Sequence, residues 1–104
     1  MSESDILRAI CDYLEIKHYF FWRANNTPVF DAKRGQFRAF PKYAIKGLPD
    51  IQIITDGGFS VFLEVKQKGK YQSKDQKEFE KRCKEVGAEY HVVRSLDDMK
   101  EIGL

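Results

Sequence analysis

Cysteine is scarce in this chain and poorly placed for its usual structural roles. Only Cys11 and Cys83 occur, far apart in apparent helix faces and without CxxC or Cys/His spacing. That excludes a disulfide framework and a structural zinc site, and it indicates a reduced, intracellular protein. Long apolar runs are missing too. The longest, Tyr19-Phe20-Phe21-Trp22, is far shorter than the ~20 residues of a membrane-spanning helix. No secretory leader is expected, and no repeat, linker or low-complexity tract interrupts the chain. What remains is 104 residues, 42% hydrophobic and 33% charged, the size and composition of one small domain over residues 1–104 that buries its own core.

Net charge is also small, at +2, but it is unevenly distributed. Lys33, Arg34, Arg38, Lys42 and Lys46 form one stretch without an acid, and Lys66, Lys68, Lys70 and Lys74 form another. They flank Asp50 and Glu64, as expected where a phosphate backbone must be drawn against carboxylates that repel it. An ordinary solvated surface accounts for the same charges equally well.

Local signals outline the elements. Ser2, with Asp5 three residues on, predicts a capped helix whose apolar stripe is Ile6, Leu7, Ile10, Cys11 and Leu14. Glu3 precedes that stripe by helical spacings and is expected on its side, a costly place for an unpaired carboxylate, unless it serves only as a first-turn acid that favours the helix dipole. His18 to Arg23 reads as a strand ended by Asn25-Asn26-Thr27-Pro28, and Val29–Asp31 with Gln36–Phe40 as a hairpin or pair of extended arms. Asp50–Ile54 and Ser60–Lys66 form a hairpin about Thr55-Asp56-Gly57-Gly58. Ser73 with Gln76 caps a second helix with Phe79, Cys83 and Val86 on its apolar face, stopped by Gly87. Tyr90–Arg94 is a last strand, and Ser95 opens a short final helix.

The hairpin gives the charged residues a geometry. Strand residues two apart share a face, so Glu64 and Lys66 point the same way. Asp50, at the start of the partner strand, falls beside them. Two carboxylates opposed across a strand pair repel unless a cation or proton intervenes, and oxygen ligands without histidine or cysteine favour Mg²⁺ or Mn²⁺. A cross-strand salt bridge is the competing reading. Asp5 with Glu15 and Lys17 repeats the same letters, but helix positions two apart diverge by roughly 200°, so that copy cannot form a site. Gln76 lies three and seven residues before Phe79 and Cys83, which turns its amide inward, either to support the site or to serve as a cap alone.

With these residues in hand, the chain resembles a stand-alone VRR-NUC domain, the virus-type replication and repair nuclease branch of the PD-(D/E)xK superfamily. The resemblance runs through Glu3, Phe21-Trp22-Arg23-Ala24-Asn25, Gly47-Leu48-Pro49-Asp50, Glu64-Val65-Lys66, Ser73 with Gln76, and Gly87 to Ser95. Only residues 28–46 or so find no counterpart in it.

The resemblance implies an α/β, restriction-endonuclease-like αβββαβ core with a central mixed sheet flanked by helices. It implies an Mg²⁺-dependent deoxyribonuclease, with Mn²⁺ also accepted and no small-molecule cofactor. Asp50, Glu64 and the carbonyl of Val65 would be metal ligands. Lys66 would orient or activate the attacking water, Glu3 would complete the acidic site, and Gln76 would position its neighbours. Arg23 joins Lys33, Arg34, Arg38, Lys42, Lys46, Lys68, Lys70 and Lys74 as candidate DNA contacts. Small members of this branch resemble Holliday-junction resolvases, which are homodimers because symmetric cutting needs two sites. Branched DNA and a second copy of the chain are therefore the implied partners, in a bacterial cytoplasm or nucleoid or from a viral source, with no membrane. Tyr19 to Trp22, Phe30, Phe37, Phe40 and Tyr43 could supply the dimer interface or simply pack within the monomer. A flap-cutting monomer, a silent nucleic-acid-binding module and a small interaction domain are the alternative readings.

Overall fold

Serine hydroxyls open each helix seen among the described residues. The computed structural model of the chain describes residues 1–25, 30–31, 35–37 and 42–104. Within them Ser2, Ser73 and Ser95 accept hydrogen bonds from the backbone N–H groups of Asp5, Gln76 and Asp98. Each hydroxyl satisfies a donor that the first helical turn leaves without a partner. The helices are α1 (Glu3–Ile16), α2 (Lys74–Glu85) and α3 (Leu96–Glu101). In α1 and α2 the capping box is complete, since the Asp5 and Gln76 side chains bond back to the N-cap N–H.

The strands are β1 (Phe20–Arg23), β2 (Phe30–Asp31), β3 (Gln36–Phe37), β4 (Ile51–Thr55), β5 (Phe59–Val65) and β6 (Glu89–Val93). Four of them form a mixed sheet in the order β1-β4-β5-β6, antiparallel except for the parallel β5–β6 pair. A parallel pair needs a crossover, and α2 is that connection. β2 and β3 pair antiparallel as a separate ribbon inserted between β1 and β4. With that ribbon set aside, the order is the expected αβββαβ, followed by α3. No described helix is long and apolar enough to cross a membrane.

Alternation along β5 divides the molecule into layers. Val61, Leu63 and Val65 join Ile51, Ile53 and Val93 on one face, packed with Ile6, Ile10 and Leu14 of α1 and Met99 of α3. Full burial of one such aliphatic side chain contributes about 1.5–3 kcal/mol, so this cluster is the main source of stability. Phe62 and Glu64 point to the other face, where Phe79 of α2 meets the Phe62 ring edge-on at 5.3 Å and Tyr90 at 6.2 Å.

Several boundaries differ from expectation, β4 and β5 each by one residue, at Ile51–Thr55 and Phe59–Val65. β1 begins at Phe20 rather than His18, because His18 takes a left-handed backbone (φ 61°) and closes the helix before it. β6 is shifted by one residue, to Glu89–Val93. Val86 is the C-cap of α2, outside the helical period, and is 83% exposed rather than part of the apolar face. Lys33, Arg34, Arg38 and Phe40 lie outside the described residues.

Candidate active site

The β4–β5 register pairs Ile51 with Leu63, so the next residues outward, Asp50 and Glu64, meet at the end of the hairpin. Both are buried; Glu64 is only 1% exposed. Asp50 is held at each oxygen. Its Oδ2 accepts from the Val65 N–H at 2.8 Å and its Oδ1 from the Asn25 amide at 3.2 Å.

Glu64 is less completely satisfied. Its Oε1 accepts from Gln76 Nε2 at 2.9 Å, and Lys66 Nζ stands 3.8 Å from the same oxygen. Its Oε2 is buried and has no hydrogen-bond partner. Burial is the main reason the Glu64 carboxyl is pushed up from the ordinary 4.5 to about 8; the Asp50 charge adds to it, Lys66 opposes it, and the nearby Asp50 carboxyl and the Glu3 charge raise it further. Without a cation at Oε2, Glu64 therefore holds its proton to a higher pH than an ordinary glutamate.

Gln76 performs both of the roles that sequence posed as alternatives. Its Oε1 accepts from the Ser73 N–H at 2.8 Å as the capping box requires, while its Nε2 reaches Glu64. The helix cap thereby sets the position of a site carboxylate. Gly47 makes this approach possible. A Cβ there would lie 2.4 Å from the Asp75 carbonyl carbon and oxygen and 2.7 Å from the Gln76 nitrogen, and its φ of +77° suits glycine.

Glu3 departs from expectation, since its side chain is exposed rather than turned to the buried side. It is the first residue of α1. Its charge still reaches Glu64, and Gln67 ties the chain start to the end of β5 through the Met1 carbonyl at 3.0 Å. The Glu15/Lys17 copy of the motif lies at the end of α1 with both side chains exposed, and it gathers no site. Arg23, Lys42, Lys46, Lys68, Lys70 and Lys74 are exposed. The Lys66–Ser73 segment is fixed by Arg94, whose guanidinium donates to the Lys70 carbonyl at 2.9 Å and lies over the Tyr71 ring.

Asn25 was absent from the predicted site. Its neighbour Ala24 donates to the Asp50 carbonyl at 2.9 Å, continuing the β1–β4 ladder past Arg23 and setting Asn25 beside the Asp50 carboxylate. Its only local signal was turn chemistry, although it ends the Phe21–Asn25 run of the family resemblance.

A divalent cation fits the donors present. Among the described residues no group of three or more His, Cys, Asp or Glu is assembled, but two opposed carboxylates and one buried oxygen without a partner form an all-oxygen set suited to a hard ion. The mixed four-stranded sheet flanked by helices is that of a restriction-endonuclease-like fold. A solved VRR_NUC domain is similar to this chain with a TM-score of 0.68 and 19% identity, over 96% of this chain and 91% of that one. The chain has the fold of that domain. No family model and no curated protein matches the sequence.

Proposed function

We propose that this protein is a metal-dependent nuclease that hydrolyses phosphodiester bonds in branched DNA. The observation that carries the reading is the buried Asp50–Glu64 pair with an unpartnered Oε2, flanked by Lys66. A binding module that only attracted phosphate would gain nothing from two buried acids, which repel it.

Asp50, Glu64 and the Val65 carbonyl would hold Mg²⁺ or Mn²⁺, with Glu3 acting through a bound water. When bound, such an ion polarises the phosphate and lowers the pKa of water. The remaining work falls to side chains of the chain itself. Asn25 and the Val65 N–H hold Asp50 from two sides, and Gln76 holds Glu64 Oε1 so that Oε2 stays aimed into the site. Lys66, whose side chain is 13% exposed, directs its ammonium to the attacking water and to the phosphate oxygens that gain negative charge in the transition state. The exposed lysines on both sides draw the DNA backbone in.

The particular substrate we propose is the four-way junction, cut by a homodimer whose two sites make symmetric incisions. Labelled four-way junction, 5′ flap, 3′ flap, duplex and single strand, incubated with Mg²⁺ alongside a native mass measurement, test this. Paired symmetric cuts by a dimer are expected. Flap cutting by a monomer would replace the junction reading, and unchanged cleavage by folded Asp50→Ala or Lys66→Ala would remove the site assignment altogether.

A further inference from the structure

Strand β1 divides its aromatic residues between the two faces of the sheet. Phe21 packs against the core, while Phe20 and Trp22 turn the other way, 67% and 39% exposed, with ring centroids 5.4 Å apart and planes tilted by 53°. Rings left in water forgo the burial that stabilises the rest of the sheet. Their position offers a reason. Trp22 pairs with Gln52, and Gln52 follows Asp50 by two residues on β4, so Trp22, Gln52, Asp50 and Glu64 share one face. With neighbouring strands ~4.8 Å apart and a rise of ~3.3 Å per residue, the Trp22 backbone lies roughly 8 Å from that of Asp50. Helix α2 covers the β5–β6 side of this face through Phe79 and Cys83.

We propose that Trp22, backed by Phe20, is a stacking platform for an unpaired nucleobase next to the Asp50–Glu64 site. The inference rests on the nuclease reading and adds what the site selects: a single-stranded nucleotide flanking the cut, as at a branch point, in preference to continuous duplex. An aromatic face beside basic groups is how single strands are bound without sequence preference. Exposed Lys46, which borders a hollow lined by Phe62 and Phe79, lies on this same face, whereas Arg23 pairs with Ile51 and falls on the opposite one. The base stacks on the outer face of Trp22, because insertion between two rings needs about 7 Å, twice the 3.4 Å base spacing, and the 5.4 Å gap is too narrow.

Trp22 is the sole tryptophan, so its fluorescence reports this position alone. The test titrates metal-free protein with a short oligothymidylate, a forked duplex and a blunt duplex. Saturable quenching by the first two and little by the third is expected. In anisotropy with labelled oligothymidylate, Trp22→Leu should weaken binding roughly 5- to 150-fold, the loss of one stacked base at about 1–3 kcal/mol, and Trp22→Phe should recover most of it. Equal quenching by blunt duplex, or none by single strand, overturns the platform. So does a Trp22→Leu variant that dissociates a dimer without losing oligonucleotide affinity. The quenching arms use the unaltered chain and do not depend on a variant folding. Metal-dependent cleavage is scored separately: cleavage without quenching removes only the platform, and quenching without cleavage removes the nuclease reading and leaves a single-strand-binding surface.

Discussion

Replacing Glu64 by glutamine should stabilise the metal-free protein at alkaline pH while abolishing its activity. Glu64 is buried, and its carboxyl is pushed from 4.5 to about 8, first by burial and then by Asp50. Below pH 4.5 the group is neutral in both folded and unfolded chains and costs nothing. As pH rises from 4.5 to about 8 the unfolded chain ionises first, so stability falls by about 1.4 kcal/mol per pH step, to a total near 5 kcal/mol. Glutamine is neutral throughout. Its carbonyl can keep the bond from Gln76. Relaxation and water entry reduce the full figure, so we expect Glu64→Gln to gain at least about 2 kcal/mol at pH 9, a rise of roughly 8–16 °C in Tm for a domain of this size. The gain should vanish toward pH 4.5. Thermal melts of both proteins across that pH range, without metal and with Mg²⁺, measure it. Mg²⁺ should raise the wild-type Tm by mass action and leave the variant nearly unmoved. Parallel pH profiles, or a variant less stable than wild type at pH 9, would refute the reasoning.

Other substitutions probe the supporting contacts. Gly47→Ala should destabilise the fold by about 1–3 kcal/mol in urea titration, because the added Cβ meets the backbone of Asp75 and Gln76; residual cleavage by the folded fraction should fall too, since Gln76 moves with that backbone. Gln76→Ala removes one partner from Glu64 Oε1 and one from the Ser73 N–H, with an expected loss of about 1–3 kcal/mol in the same assay and a lower kcat. Asn25→Ala leaves Asp50 with only the Val65 N–H; Mg²⁺ affinity measured by calorimetry should drop about 10- to 100-fold, as for other residues that orient metal ligands.

Short-range physics made much of this protein legible from its sequence. The Ser2/Asp5 and Ser73/Gln76 boxes, the Thr55–Gly58 turn and the alternation of Phe62, Glu64 and Lys66 against Leu63 and Val65 all depend on neighbours two to four residues away. Hairpin register then placed Asp50 opposite Glu64, which separated this motif from its helical copy at Glu15 and Lys17. Tertiary structure decided whatever depends on distant segments. The pairing of β1 with β4 brought Asn25 to Asp50 and set Trp22 on the same face. The close contact of Gly47 with the start of α2 let one glutamine cap a helix and hold a carboxylate together. Glu3 is exposed, because a helical period gives the direction of a side chain but not how far it is buried. Sequence alone supplied the acids and lysine of the candidate site; packing decided their supports, the raised pKa of Glu64 and the aromatic surface beside them, because burial and pairing across the fold are properties of the assembled chain.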